Sequence, residues 1–147
     1  MPRKIAVFNG PNLNRLGTRE PHIYGTTTLA EIERMCRDAA GPDEILFRQS
    51  KAEHEIIDLV HEAIDSADGL IINPAAFTFY SVAIIDALKM FPGPLIELHI
   101  SNVHSRGEMY RHSLVSPIAT AVLAGFGARG YAIAVQAVRA LLDDAPK

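Results

Sequence analysis

The sequence predicts an α/β fold in which helices cover both faces of a five-stranded parallel sheet. Short apolar runs of strand length alternate along the chain with longer stretches of helical period. These runs are apolar on both faces, which is typical of parallel strands buried between two helical layers. A length of 147 residues suits one such domain. We therefore expect a single domain over residues 1–147 with a flavodoxin-like three-layer sandwich.

The first elements form a strand, a helix and a strand. Residues 5–8 are four apolar side chains that end at a cluster of turn formers, so they are predicted as the first strand. Thr28 and Glu31 have the spacing of a capping box, so a helix is predicted to begin after Thr28 and to end near Gly41. Residues 45–47 are then predicted as the second strand.

The middle of the chain repeats this alternation. Residues 50–53 have capping-box spacing again, and the apolar positions of residues 56–64 form one helical face, so a second helix is predicted here. Residues 70–72 are predicted as the third strand. Residues 81–90 are predicted as a helix that the following Pro-Gly-Pro segment stops, and residues 95–100 as the fourth strand.

The last strand has an alternative interpretation. Ser116 and Pro117 are also compatible with a helix that has serine at its N-cap and proline at its first position. Residues 121–125 are instead predicted as the fifth strand, because a long helical period over about residues 128–142 follows at once.

Composition and charge exclude several classes of protein. With 14 basic and 17 acidic side chains the net charge is −3, which argues against a broad nucleic-acid-binding surface. No apolar run approaches the roughly 18 residues that a membrane span needs, so no membrane partner is expected. Cys36 is the only cysteine, which fits a reducing cytoplasmic location. Zinc-ligand spacing, a GxGxxG motif and a Walker loop are all absent, so no metal and no cofactor are expected.

Three polar segments follow predicted strand ends, and they indicate where a ligand binds. They cover residues 9–25, 73–81 and 97–111. Because ligands of such sheets lie beyond the carboxyl ends of the strands, we expect these segments to converge around one site.

The first polar segment, residues 9–25, is far longer than a usual connection between a strand and a helix. One interpretation is a mobile surface loop in which Arg19 and Tyr24 are simply solvated. The other is a closing lid in which Tyr24 acts as a base. A free phenol has a pKa near 10, and a cation in contact lowers a pKa by roughly 1–3 units. Arg19 and Arg106 are the candidate cations.

The fourth strand carries a second group of candidates. Strand alternation places Glu97 and His99 on the same face, with Ser101 continuing the row. This pair is either a core histidine satisfied by a carboxylate or an imidazole oriented as a general acid. The backbone amides of Ile100 and Ser101, where the chain turns outward, can bind a carboxylate. Asn73, after the third strand, adds a side-chain amide for a small polar ligand.

These segments closely resemble the type II 3-dehydroquinate dehydratases. The most specific stretch is the Asn-Gly-Pro-Asn-Leu-Asn run with the Leu-Gly-Thr-Arg-Glu-Pro and Ile-Tyr-Gly motifs after it. The similarity extends in order over essentially the whole chain. It includes residues 9–25, 71–74, 81–83, 86–88, 97–106, 116–117 and 125–127.

The resemblance implies a fold, an assembly and a reaction. The fold is flavodoxin-like, the assembly is a homo-oligomer, a dodecamer built as a tetramer of trimers, and no metal is used. The reaction removes water from a small anionic cyclic keto acid, 3-dehydroquinate, and gives 3-dehydroshikimate in the shikimate pathway of aromatic amino acid biosynthesis.

The resemblance also implies roles for the catalytic candidates. Tyr24 is the base that takes the proton next to the ketone, and Arg19 keeps its phenol ionised and stabilises the charge of the transition state. Asn12 helps to hold the enolate. His99, oriented by Glu97, protonates the leaving C1 hydroxyl.

Further residues bind the substrate by the same resemblance. Asn73 and the amides of Ile100 and Ser101 hold the carboxylate. Asp86 reaches the site of a neighbouring subunit, so that assembly becomes part of the mechanism.

The chain departs from the family pattern where the ring of the substrate is recognised. Phe79 stands in place of a histidine that contacts a substrate hydroxyl, and Tyr110 in place of an arginine; residues 49–53 depart as well. One hypothesis is an intact elimination site that acts on an analogue with an altered or missing ring hydroxyl. Another is family drift, with Arg111 and Tyr110 restoring the contacts. A third is a binding or assembly protein without turnover.

Overall fold

Five parallel strands form one sheet in the computed structural model of the protein, which describes residues 1–146. The strands are β1 (Lys4–Asn9), β2 (Glu44–Gln49), β3 (Gly69–Asn73), β4 (Leu95–His99) and β5 (Ala121–Ala124). Their order across the sheet is β2-β1-β3-β4-β5, and every neighbouring pair is parallel. The predicted α/β fold with a five-stranded parallel sheet is therefore confirmed.

Helices cover both faces of this sheet. They are α1 (Pro21–Tyr24), α2 (Leu29–Ala40), α3 (Glu53–Ser66), α4 (Val82–Leu88) and α5 (Arg129–Asp144). Helices α2 and α5 pack with one face of the sheet into one apolar cluster, and α3 and α4 pack with the other face into a second. Across residues 1–146, no helix combines the length and the apolar character that crossing a membrane requires.

Strand β1 shows how its sequence builds both clusters. Its side chains alternate, so that Ile5 and Val7 face the α2–α5 layer while Ala6 and Phe8 face the α3–α4 layer. All four are fully buried, and burying one large apolar side chain contributes about 1.5–3 kcal/mol. Burial on both faces was predicted for every strand, and this is wrong for β5, where Val122 is 45% exposed. The reason is that β5 is an edge strand.

The structure shows where the fifth strand lies and where helix α2 begins. Residues 121–124 form a strand and α5 begins at Arg129, so the interpretation of a helix starting at Ser116 is excluded. At the start of α2, the Thr28 hydroxyl oxygen accepts a hydrogen bond from the Glu31 amide over 3.2 Å. The predicted N-cap is therefore confirmed there.

The second predicted capping box is wrong. Helix α3 begins at Glu53 after Ala52, which provides no side-chain cap. The Ser50 hydroxyl instead accepts a hydrogen bond from the Ala52 amide over 3.0 Å and donates one to the Glu55 carboxylate over 2.9 Å. Ser50 thus shapes the turn before the helix, which begins later than the spacing suggested.

The long first segment has more structure than either sequence interpretation gave it. It contains a 3-10 turn at Leu13–Arg15 and the short helix α1, whose first residue is proline. Proline fits the first helical position because its backbone carries no N–H and its φ angle is already helical. Tyr24 ends this helix, is only 8% exposed and packs into the α2–α5 cluster. It is therefore not a solvated residue of a mobile loop.

Candidate active site

A pocket lies beyond the carboxyl ends of β1, β3 and β4, where the three polar segments meet. It brings together every predicted site residue except Glu97 and Asp86. The predicted residues in its wall are Asn12, Arg19, Tyr24, Asn73, Phe79, His99, Ile100, Ser101, Arg106 and Tyr110.

A close backbone contact joins the ends of β1 and β3. The Gly10 amide donates to the Asn73 carbonyl over 2.8 Å, and a Cβ atom at Gly10 would lie only 2.4 Å from the Pro74 carbonyl oxygen. Only glycine allows this approach. Asn12 follows in the left-handed region with φ 72°, which asparagine tolerates better than most residues. The local sequence therefore turns the chain back over the pocket.

Tyr24 lies close to two guanidinium groups. The Cζ atom of Arg19 is 4.4 Å from the centre of the Tyr24 ring, and that of Arg106 is 5.5 Å away. Both distances are within the range of cation–π contacts. Two positive charges therefore lie against the ring of this buried tyrosine.

His99 and Glu97 form a buried pair behind the pocket wall. The His99 Nε2 atom lies 2.6 Å from a Glu97 carboxylate oxygen, and both side chains are buried. His99 also lines the pocket, whereas Glu97 does not. Both sequence interpretations of the pair are therefore compatible with the structure. The carboxylate provides a hydrogen-bond partner for one ring nitrogen of His99, and the imidazole ring still lines the pocket.

Three hydroxyl groups hold the Glu97 carboxylate in addition to His99. Thr78 donates to it over 2.9 Å, Ser113 over 2.6 Å, and Ser116 makes a further short hydrogen bond. Burial alone would raise the pKa of Glu97, but the hydrogen bonds from His99, Ser113 and Ser116 outweigh burial and lower the pKa to about 2. The Glu97 carboxylate is therefore anionic at neutral pH.

Amide groups gather on another side of the pocket. The Asn73 carboxamide donates to the Tyr131 hydroxyl over 2.9 Å and accepts from the Ala75 amide over 3.2 Å. Ile100 and Ser101 line the pocket next to it, and their backbone N–H groups donate to no acceptor within residues 1–146. Free amide donors at a chain turn form a site for an anion.

The charge of the pocket differs from the charge of the whole chain. Its wall contains two arginines and one histidine but no carboxylate, although the chain has a net charge of −3. Within residues 1–146, no group of three or more His, Cys, Asp or Glu side chains is arranged to hold a metal ion. The pocket wall thus contains basic but no acidic side chains, which favours an anionic ligand.

Comparison with known proteins identifies the family. The sequence pattern of one family, described as class II dehydroquinase, matches residues 3–139. The chain belongs to the class II dehydroquinase family. A protein named 3-dehydroquinate dehydratase from Cereibacter sphaeroides is 52% identical over 143 residues, which cover 96% of this chain and 97% of that protein.

Solved structures of class II dehydroquinases agree with this assignment. The type II dehydroquinase from Butyrivibrio crossotus superposes with a TM-score of 0.90 at 39% identity, over 94% of this chain and 98% of the other. The enzyme from Propionibacterium acnes gives a TM-score of 0.86 at 40% identity, over 98% and 99% of the two chains. The predicted family membership is therefore confirmed.

Two aromatic rings, at the positions where the sequence analysis expects a departure from the family pattern, form part of the pocket wall. The Phe79 and Tyr110 rings meet edge to face with their centres 5.5 Å apart, and the Arg106 Cζ atom lies 4.1 Å from the centre of the Tyr110 ring. Arg111 is half exposed, lies 3.4 Å from the Glu108 carboxylate and is outside the pocket wall. The structure therefore does not support the hypothesis that Arg111 restores the missing contact.

Asp86 is the one predicted substrate-binding residue that does not line this pocket. It is exposed on α4, with its carboxylate 4.0 Å from the Lys89 ammonium group, and it is not part of the pocket wall. Its contribution to a neighbouring subunit's site stays a prediction.

Some residues that organise the site could not be identified from the sequence. Tyr131 has the helical spacing of an ordinary core residue, and Thr78 and Ser113 lie in separate segments. No periodicity marks these contacts. The only available signal was that Thr78 and Ser113 lie within or next to the polar segments.

Ala75 has a strained backbone beside the pocket, with φ 52°. The left-handed backbone conformation costs other residues about 1–2 kcal/mol of free energy, and glycine adopts it without this cost. Glycine in turn loses more backbone conformational entropy on folding. We expect Ala75→Gly to raise the free energy of unfolding by about 0.5–1 kcal/mol, as measured by urea denaturation. Ala76→Gly is the matched control and is expected to lower it by a similar amount. Equal losses in both variants would contradict the assignment of strain to Ala75.

Proposed function

We propose that the protein is a hydro-lyase that removes water from 3-dehydroquinate and gives 3-dehydroshikimate through an enolate. The observation that carries this proposal is the pocket itself, in which a tyrosine beside two guanidinium groups faces the same space as a buried Glu–His pair. Membership of the class II dehydroquinase family and the names of the relatives support it.

The first step is proton removal. A proton next to a ketone is only weakly acidic, so the site must supply a strong base and stabilise the enolate that forms. The Tyr24 phenolate takes this proton, and the Arg19 and Arg106 guanidinium groups stabilise the negative charge before and after the transfer. Asn12, in the pocket wall, helps to hold the enolate oxygen.

The second step is loss of the C1 hydroxyl as water. The protonated His99 ring donates a proton to the hydroxyl oxygen, the C1–O bond breaks, and the electron pair of the enolate forms the new double bond. The Glu97 carboxylate stabilises the imidazolium before transfer. Asn73 and the amides of Ile100 and Ser101 hold the substrate carboxylate, which keeps the ring in one orientation.

A second candidate is elimination from an analogue that lacks a ring hydroxyl or has another group in its place. The contact between Phe79 and Tyr110 favours it, because an aromatic wall offers few hydrogen bonds to the ring. One lost hydrogen bond costs about 1–3 kcal/mol, so 3-dehydroquinate would then be a slower substrate than a deoxy analogue.

One assay separates these candidates. The purified protein is given 3-dehydroquinate and its 4-deoxy and 5-deoxy analogues, and the absorbance of the conjugated enone is followed. Fastest turnover of 3-dehydroquinate supports the first proposal. A kcat/KM at least about tenfold higher on a deoxy analogue supports the second candidate. Absence of turnover with all three compounds would contradict both and favour a binding protein.

Assembly and location belong to the same proposal. The exposed Asp86 is available to another subunit, as the proposed dodecamer of four trimers requires. We also propose a cytoplasmic location, which the single cysteine of the chain fits, and a role in aromatic amino acid biosynthesis. Analytical ultracentrifugation measures the oligomeric state directly.

A further inference from the structure

We propose that Tyr131 is a positioning residue that fixes the orientation of the Asn73 carboxamide in the pocket. Tyr131 lies on α5, is fully buried and touches no ligand space of its own. Its hydroxyl donates to the Asn9 side-chain oxygen over 2.7 Å and accepts from the Asn73 side-chain nitrogen over 2.9 Å. It thereby connects the carboxyl ends of β1 and β3.

The Asn9 side chain fixes the direction of these hydrogen bonds. The Asn9 side-chain nitrogen donates to the Arg48 carbonyl over 3.0 Å, so the side-chain oxygen of Asn9 faces Tyr131. A tyrosine hydroxyl has one hydrogen, and Asn9 receives it. The hydroxyl oxygen is then available only as an acceptor, which requires the NH2 group of Asn73 on that side.

The other end of the Asn73 carboxamide is fixed in the same sense. Its oxygen accepts from the Ala75 amide over 3.2 Å. A flipped carboxamide would place its NH2 group against the Ala75 N–H and its oxygen against the Tyr131 oxygen, so both hydrogen bonds would be lost. The second N–H of the Asn73 NH2 group is therefore the one that remains for a ligand, and it selects a hydrogen-bond acceptor such as a carboxylate.

The burial of Tyr131 keeps this arrangement constant. Burial raises the pKa of Tyr131 above its ordinary value, so the hydroxyl remains protonated throughout the physiological pH range. Because the protonated hydroxyl donates its hydrogen bond to Asn9, its oxygen always accepts from Asn73. The inference rests on the proposed function only in its assignment of the carboxylate to Asn73.

Tyr131→Phe tests the proposal, because it removes the hydroxyl and keeps the ring. We expect the KM for 3-dehydroquinate to rise about tenfold while kcat changes less than about twofold, since a hydrogen bond to a charged ligand is lost but no proton-transfer group is. Binding of 1-cyclohexene-1-carboxylate and of its neutral carboxamide is measured by calorimetry in parallel. The preference for the carboxylate is expected to fall about tenfold as well.

Ser81→Ala is the matched control. Ser81 also carries a buried hydroxyl, which donates to the Glu53 carboxylate over 2.5 Å and accepts from the Ile84 amide, but it lies outside the pocket wall. This variant is expected to lose stability with unchanged KM and unchanged preference between the two probes. A KM that rises equally in both variants would show that Tyr131 is only structural and would overturn the proposal.

A double variant tests whether Tyr131 acts through Asn73. If it does, Tyr131→Phe has no further effect on KM or on the preference for the carboxylate once Asn73 is replaced by alanine. Effects that multiply would overturn the inference, as would equal binding of the two probes by the unmodified protein. The two probes do not react, so their binding can be measured whether or not the protein turns over 3-dehydroquinate. Loss of the preference for the carboxylate in Tyr131→Phe would support the inference in either case. Absence of turnover would contradict only the proposed function.

Discussion

Replacement of Tyr24 by phenylalanine is expected to lower kcat on 3-dehydroquinate by about a thousandfold, because the variant lacks the phenol that is the proposed base. The ring remains, so its packing in the α2–α5 cluster and its contacts with Arg19 and Arg106 are kept. The free energy of unfolding is therefore expected to change little. Steady-state kinetics and urea denaturation of the same preparation measure the two quantities.

Tyr80→Phe is the control for this variant. Tyr80 is largely exposed and its ring meets that of Phe77, so it is a tyrosine near the pocket segments but outside the pocket wall. We expect unchanged kcat in this variant. Activity of Tyr24→Phe within about tenfold of the unmodified protein would show that another group is the base.

Replacement of Glu97 by glutamine is expected to have the second largest effect. The carboxylate accepts hydrogen bonds from His99 and from three hydroxyl groups, and a glutamine side chain offers two N–H donors in place of one acceptor oxygen. We expect the free energy of unfolding at neutral pH to fall by about 3 kcal/mol. We also expect kcat to fall about a hundredfold, because His99, the proposed acid, loses the carboxylate that orients its ring.

The same variant has a distinct dependence of stability on pH. The pKa of Glu97 is lowered from 4.5 to about 2 in the folded protein. A lowered pKa means that the carboxylate stabilises the fold above pH 4.5, and that this stabilisation is lost as the pH falls from 4.5 towards 2. The loss amounts to about 3 kcal/mol, at roughly 1.4 kcal/mol for each pKa unit. Urea denaturation across this pH range should show the loss in the unmodified protein.

Glu97→Gln should lack this part of the pH dependence. Glu108→Gln is the control, since Glu108 is an exposed carboxylate beside His112 and Arg111. Its variant is expected to keep the pH profile of the unmodified protein. If Glu97→Gln also keeps that profile, the buried carboxylate is not the group whose protonation destabilises the fold.

The sheet and much of the site could be predicted from sequence because their signals are local. Apolar runs mark β1 and β3, and the polar residues after each strand end indicate the edge where ligands bind. Alternation within a single strand was enough to pair Glu97 with His99. Such signals depend only on neighbours along the chain.

The supporting contacts could not be predicted, because they join segments that are distant along the chain. Tyr131 looks like any core residue of an amphipathic helix until Asn9 and Asn73 are seen on its hydroxyl. In the same way, nothing in the sequence shows that the Phe79 and Tyr110 rings touch. The tertiary arrangement decides these contacts.

Two of the hydroxyl groups that hold the Glu97 carboxylate belong to the segments that carry the Phe79 and Tyr110 rings. Thr78, which precedes Phe79, and Ser113, which follows Tyr110 closely, are both tied to that carboxylate, and the Leu114 amide donates to the Thr78 carbonyl over 2.8 Å. The same hydrogen bonds therefore hold the Glu97 carboxylate and the backbone next to both aromatic residues. The two rings can therefore be exchanged while the hydrogen bonds from Thr78 and Ser113 to Glu97 stay in place.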